Sequence, residues 1–256
     1  MSGEPILQAS AIALRYPGAG RNVIEDFDID LKSGETVSVL GPSGAGKSSL
    51  LRILAGLQPP TNGTIAVHGA PLRGPHPRLA IAFQDPTLLP WLTLERNVAF
   101  GLDFKHQPRL SRSERTSRVD SAISEVGLSQ ARHHFPDQLS GGMAQRAALA
   151  RCLTRKPDIL LLDEPFGALD EVTRTEMQHL LLKIVRDFRT ATVLVTHDID
   201  EALLVSDRIL LLGRSPARLI GEWSIDLPKP REDYVRELGA IRVEIVGALH
   251  RAIRTH

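Results

Sequence analysis

The sequence predicts an α/β fold in which a mainly parallel sheet is covered on both faces by helices. Three observations carry this expectation. Compact apolar runs at residues 36–40, 79–83, 159–162, 192–196 and 208–212 have the length and continuity of strands buried on both sides. The first of them passes directly into a glycine-rich loop and then into apolar residues at helical spacing, a strand–loop–helix unit. The stretch from about 86 to 155 then changes character and reads as mostly helical.

Taken in order, residues 6–14 and 23–31 open the chain as half-buried strands, the second with apolar residues alternating against Asp26, Asp28 and Asp30. After the glycine loop, residues 48–57 place Leu50, Leu51, Ile53, Leu54 and Leu57 at helical spacing, and Gly56 with Pro59 and Pro60 stops the helix. Ser111 and Glu114 form a capping box for a helix with Val119, Ala122, Ile123 and Val126 on one stripe, closed by Gly127. The tail holds Pro216, Pro228 and Pro230 before an amphipathic helix near 236–253. The expected division is a core of 1–85 plus 156–215, a helical subdomain of 86–155 and an extension of 216–256.

Composition sets bounds on function. The chain has 256 residues, 42% hydrophobic and 24% charged, enough to bury a sizeable core. Lys and Arg number 31 against 30 Asp and Glu, a net charge of +1 that argues against a dedicated nucleic-acid binder. The single cysteine, Cys152, excludes an internal disulfide, suits a reducing compartment and reads as buried packing. The start has no basic segment followed by a long apolar run, so it is not expected to be a secretory signal. No stretch approaches the roughly 18 uninterrupted apolar residues of a spanning helix. A membrane role would therefore require docking onto another protein.

Gly41-Pro42-Ser43-Gly44-Ala45-Gly46-Lys47-Ser48 matches the pattern G-x-x-x-x-G-K-[ST] in its proper setting. The glycines let backbone N–H groups face phosphate oxygens at a helix N-terminus. Lys47 reaches the outer phosphates, and the Ser48 hydroxyl can ligate magnesium. The strand at 159–162 ends in Asp163 and Glu164, at the sheet edge where open α/β folds bind ligands. Asp163 is placed to hold the Mg2+ shell and Glu164 to orient the attacking water, although an acidic turn capping the next helix would look alike. Ser140-Gly141-Gly142 before a helical run is a second anion-seeking nest. Two such sites for one nucleotide make sense if the second faces the nucleotide of another copy.

With these motifs, Ala168-Leu169-Asp170 and Thr196-His197-Asp198 in the same chain, the sequence resembles an ATP-binding cassette (ABC) ATPase along nearly its whole length. The resemblance implies a P-loop NTPase (RecA-like) core with an N-terminal antiparallel β part and an inserted helical subdomain. It also implies a head-to-tail homodimer that hydrolyses ATP with Mg2+. Gly41 through Ser48 and the adjacent Ser49 would bind ATP, and Ser140, Gly141 and Gly142 would contact it in trans. Asp170 would communicate between the two sites. His197 would contact the γ-phosphate, and Gln84 would sense the metal, sharing it with Ser48 and Asp163. Tyr16 resembles the residue that stacks on adenine, although a Tyr before Pro17-Gly18 could instead simply pack a turn. Met143 and Asp85 depart from the family's usual glutamine and glutamate without removing a catalytic group.

The stretch 88–93 (LLPWLT) reads both as the packed start of the helical subdomain and as an apolar cleft for a membrane partner. Together with residues 164–170, 173–178 and 226–231, it resembles importer ATPases of the nitrate, sulfonate, taurine and thiamine-precursor group. That resemblance implies two membrane-spanning permease subunits, an external solute-binding protein and a peripheral place on the cytoplasmic face of the inner membrane. A soluble ABC ATPase acting on DNA or ribosomes, or a regulator that binds without hydrolysing, are the competing readings. Arg109, Arg112, Arg115 and Arg118, interleaved with Asp103, Glu114 and Asp120, read as a solvated face.

Overall fold

The computed structural model describes residues 4–104, 107–214 and 216–254. Met1, Ser2 and Gly3 of the start weighed as a signal, and Ser215 at the expected domain boundary, lie outside the described residues.

The chain opens with β1 (Leu7–Leu14) and β2 (Ile24–Leu31), paired antiparallel. Buried Leu7 and Ala9 are out of phase with Ile12 and Leu14 because Ala11 and Asp26 adopt left-handed φ values of 50° and 51° at the register shifts. β3 (Thr36–Leu40), buried throughout, leads through the glycine loop into α1 (Lys47–Leu54). That helix ends three residues before the expected limit of 57. Gly56 turns the backbone to φ 69°, Leu57 N–H donates back to the Arg52 carbonyl at 2.9 Å, and Leu57 is left 49% exposed. β4 (Asn62–Val67) and β5 (Ala70–Pro71), which the apolar pattern did not announce, complete a first sheet in the order β2-β1-β4-β5.

β6 (Leu79–Ala82) precedes the helical segment of α2 (Leu94–Ala99), α3 (Arg112–Glu125) and α4 (Gly141–Leu153). Ser111 and Glu114 make the expected reciprocal capping box, and Gly127 follows at φ 71°. The segment has its own apolar core, with Leu94, Val98, Val119, Ile123 and Ala147 buried together. β7 (Ile159–Asp163), α5 (Glu171–Phe188), β8 (Ala191–Thr196), α6 (Ile199–Val205) and β9 (Arg208–Leu212) then return the chain to the main sheet. β10 (Leu219–Ser224) and α7 (Val235–Arg254) end the description.

The main sheet runs β10-β9-β3-β8-β7-β6, parallel from β9 to β6 with β10 antiparallel at one edge. The predicted α/β class is therefore the observed one, with the antiparallel sheet packed over α1 and β3 on one face. Residues beyond 216 are built into this framework. Ala217 bridges Ile24, β10 pairs with β9, and α7 packs against α6 and β10. Arg231, 1% exposed, donates to the carbonyls of Leu203, Ser206, Ile225 and Leu227 and so fastens the tail to α6.

Candidate active site

Strand register sets the site. Leu40 pairs with Thr196 and Asp163 with Val195, so Gly41, His197 and Glu164 leave three neighbouring parallel strands at one edge of the sheet. This is the carboxyl edge at which open α/β sheets bind ligands.

The loop after β3 is shaped by its glycines. A Cβ at Gly41 would lie 3.1 Å from the Leu212 carbonyl, and one at Gly46, with φ 85°, would lie 2.9 Å from Val23 Cγ1. Gly44 also has a positive φ, 79°, while Pro42, Ser43 and Ala45 form the turn between them, with Ala45 N–H donating to Pro42 O. Lys47 is 6% exposed, and its Nζ donates to Gly41 O at 2.8 Å and Pro42 O at 3.1 Å. Burial lowers its pKa, opposed by the charges of Glu164 and Asp163. Ser48 Oγ donates to Asp163 Oδ1 at 3.2 Å, joining α1 to the end of β7. Tyr16 OH and Ser49 Oγ are 2.9 Å apart, while the Tyr16 carbonyl closes a turn with Ala19 N–H. Tyr16 thus serves its turn and also stands beside α1.

Asp163 is nearly buried, and desolvation raises its pKa; the hydrogen bond from Ser48 opposes this, and Glu164 adds to it. Glu164 sits at φ 44°, a left-handed conformation uncommon for a residue with a side chain, and its N–H donates to Val195 O at 2.8 Å. Its Oε2 accepts from Gln84 Nε2 at 3.4 Å and lies 3.2 Å from His197 Nδ1. The alternative of an acidic cap is excluded, since the N-cap of α5 is Asp170. The oxygen donors of Ser48, Asp163 and Gln84 suit a hard divalent cation. Among the described residues no cluster of three or more His, Cys, Asp or Glu could enclose a metal alone. Such a donor set fits an ion that is also held by phosphate and water.

Ser140, Gly141 and Gly142 stand elsewhere, at the start of α4. Ser140 Oγ caps that helix through Met143 N–H at 3.2 Å, and a Cβ on Gly141 would meet nothing within 4 Å. Gly142 packs on Thr173, where a Cβ would come within 2.4 Å of Cγ2. Thr173 Oγ1 in turn donates to Asp170 at 2.7 Å. No hydrogen bond or ion pair among the described residues joins these three residues to the phosphate loop.

Several supporting residues escaped the sequence reading. Gln145, 6% exposed on α4, donates to the Gln84 carbonyl at 2.7 Å. Arg151 donates to the carbonyls of Pro86 and Thr87, and buried Asn97 bonds Leu89, Leu92 and Thr93. These three hold the stretch 84–93, whose Trp91 is 69% exposed while Leu88 packs on the helical core. The packed start of the helical subdomain is thus what Leu88 forms, and Trp91 is left exposed beside it. Behind His197, Glu201 accepts from Thr196 Oγ1 at 2.7 Å, and Asp198 caps α6. A polar residue on an otherwise apolar helix face was the available signal for Asn97 and Gln145. At the two departures, Met143 packs on the helical core and Asp85 accepts from Thr87 N–H. Cys152 is buried, with its thiol pushed up to about 11 by desolvation.

A loop that offers backbone N–H groups and an ammonium to phosphate, facing carboxylates across a parallel sheet, defines a nucleoside-triphosphate hydrolase. The chain belongs to the ABC transporter family, whose model matches residues 24–167. It is similar to the aliphatic sulfonates import ATP-binding protein SsuB 1 of Xanthomonas axonopodis pv. citri, with 44% identity over 95% of this chain and 98% of that protein. It is also similar to the nitrate import ATP-binding protein NrtD of Synechococcus elongatus, with 42% identity over 89% of this chain and 85% of that one. The dimeric post-hydrolysis cassette MJ0796, bound to ADP and Pi, superposes with a TM-score of 0.76 at 30% identity, covering 87% of this chain and all of that one. The chain is thus an ATPase whose hydrolysis is coupled to transport, working with other transporter subunits in association with a membrane. No helix among the described residues is long and apolar enough to cross one itself.

Proposed function

We propose that this chain energises uptake of a small solute of the aliphatic sulfonate, taurine, nitrate or thiamine-precursor type. It would work as a homodimer beneath two membrane-spanning permease subunits, on the cytoplasmic face of the inner membrane, with an external binding protein delivering cargo and no role for nucleic acid. The sulfonate and nitrate import relatives support the cargo class. The observation that carries the chemistry is the convergence of Gln84 and His197 on Glu164 Oε2, beside the Ser48–Asp163 hydrogen bond.

In the mechanism, Tyr16 stacks on the adenine, the N–H groups of Gly41 and of residues 43–49 cradle the phosphates around the Pro42 turn, and Lys47 turns from its two carbonyls to the outer phosphate oxygens. Ser48, Asp163 and Gln84 would hold Mg2+, which would supply charge neutralisation to the phosphates when bound. Glu164 orients and polarises the attacking water, and His197 steadies the γ-phosphate and Glu164 together. Ser140, Gly141 and Gly142 of a second copy complete the site, and the Asp170–Thr173–Gly142 contact links that signature to the neighbouring site. A division into a core of 1–85 plus 156–215, a helical subdomain of 86–155 and an extension of 216–256 would place Ser140, Gly141, Gly142 and the 88–93 stretch in one subdomain.

The test is reconstitution of the chain with its permease and binding protein in vesicles, measuring phosphate release with each of the four solute types. One of them is expected to stimulate hydrolysis severalfold. Stimulation by DNA or ribosomes, with none by any solute, would overturn the reading.

A further inference from the structure

A cleft of about 330 Å³ lies between the C-terminal half of α3, the turn from α4 into β7 and the end of α5. Asp158 and Thr190 on its lining immediately precede β7 and β8, whereas Glu164 and His197 follow those strands. Since the strands are parallel and five or six residues long, the cleft sits about 16–20 Å from the phosphate site, at the opposite edge of the sheet. It also joins two bodies, with α3 from the helical segment on one side and the main sheet on the other.

The charges around it are unevenly matched. Asp158 is taken by Arg78, at 2.7 and 3.0 Å, and by His68 at 3.0 Å. Glu125 is taken by Lys183, which lies outside the cleft. The side chains of Arg118 and Lys156, both on the lining, make no hydrogen bond or ion pair among the described residues. Their charges fall on the same side of the molecule: the Glu114 carboxyl is held down first by its bonds to Ser111 and further by both of these cations. Ser117 and Ser121 add hydroxyls on α3. The remaining wall is apolar, formed by Ala122, Leu153, Pro157 and Phe188, the last 57% exposed. At the floor, buried Thr190 has an Oγ1 without a hydrogen-bond partner. Of the four arginines expected to form a solvated face, Arg115 is paired with Asp103, whereas Arg118 turns to this cleft.

We propose that this cleft binds a small organic monoanion with an apolar body, a carboxylate or sulfonate carrying a short chain or ring. The head group lies between Arg118 and Lys156, with Ser117 and Ser121 donating to it. The apolar body covers Leu153, Pro157 and Phe188. The volume is at the lower end of small-molecule sites, which favours a ligand of this size over a nucleotide. A bound anion ties α3 to the starts of β7 and β8. The inference is independent of the cargo assignment, because binding is read without transport.

The experiment is calorimetric titration of the full chain, held in saturating MgADP so that the phosphate loop is occupied, with ethane-, butane- and hexanesulfonate, hexanoate, hexanol and inorganic sulfate. Saturable binding of hexanesulfonate and hexanoate is expected, strengthening about fourfold per methylene along the sulfonate series. Hexanol and sulfate should each bind at least tenfold more weakly. The double variant Arg118→Ser/Lys156→Ser should keep its melting temperature and its ADP affinity while losing hexanesulfonate binding at least tenfold. Equal binding of hexanol would show only a greasy cleft, equal binding of sulfate only a surface anion site, and full binding by the variant a site elsewhere. Each of these outcomes overturns the proposal.

Discussion

His197 Nδ1 stands 3.2 Å from Glu164 Oε2, a contact between the ends of two adjacent strands, β8 and β7. Glu164 is held there by its backbone bond to Val195 and a left-handed φ, so its carboxylate is aimed before any substrate arrives. Glu164→Gln keeps the shape and removes the carboxylate proposed to polarise the attacking water. Hydrolysis should fall by about 10²-fold or more while ATP affinity changes by less than about twofold. ATP should then trap a dimer visible by size exclusion; undiminished phosphate release would remove Glu164 from the chemistry.

Asp163 gives a stability prediction whose sign follows from its raised pKa. Desolvation favours the protonated carboxyl in the folded chain, so the stability associated with that form is present at low pH and lost as pH rises through the folded pKa. At neutral pH the folded chain bears the cost of an ionised, nearly buried carboxylate. Asp163→Asn, measured without nucleotide, should therefore melt higher at pH 7, by about 2–4 °C per kcal/mol recovered in a chain of this size. The gap to the parent should close as pH falls toward 4. The same variant should hydrolyse no ATP with Mg2+.

The two signature glycines should fail differently. Gly141 faces open space, so Gly141→Ala should leave the melting temperature unchanged yet prevent ATP-dependent dimerisation. Gly142→Ala meets Thr173 within its own chain and should lower stability by about 1–3 kcal/mol. Adding Thr173→Ser, which removes the clashing methyl and keeps the hydroxyl for Asp170, should restore most of that loss in a chemical denaturation curve.

Gln145 donates to the backbone carbonyl of Gln84 from α4. Gln145→Leu preserves volume and removes the bond to the Gln84 carbonyl. Turnover should drop by about tenfold with the ATP dissociation constant unchanged, as expected when a positioning contact is lost. An equal loss in binding would assign Gln145 to general packing.

Tyr16 separates stacking from its hydroxyl. Tyr16→Ala should weaken ATP binding by about three- to tenfold, the worth of one aromatic contact. Tyr16→Phe, which loses only the bond to Ser49, should stay within about twofold, as measured with a fluorescent ATP analogue.

The fold was legible wherever residue type and local geometry coincide. Five buried strands, the phosphate loop and the capping box at Ser111 all announce themselves, because each depends on neighbours in the chain. β4 and β5 were not legible: 62–67 (NGTIAV) shows no alternation and carries Gly63 near its start, and its partner is distant β1. β10 was hidden for the same reason, since Leu219–Ser224 is half-exposed and pairs only through β9. Within the site, Lys47, Asp163 and Glu164 could be named from motifs. The hold of Gln145 on Gln84, 61 residues earlier, is long-range and leaves no local pattern. Arg231 is the sharpest case, a charged residue in a proline-rich tail that is among the most buried side chains of the chain.

The order β3-β8-β7 has one more consequence. β3, which leads into the glycine loop, and β7, which ends in the carboxylates, are separated by one intervening strand, so their backbones lie two hydrogen-bonded strand spacings apart, about 9–10 Å. That width is a ruler set by the peptide backbone itself, and no side-chain substitution can stretch it. A catalytic residue can be exchanged at any of the three strand ends while the gauge stays fixed. The chemistry of the site is thus replaceable piece by piece on a spacing that sequence change leaves alone.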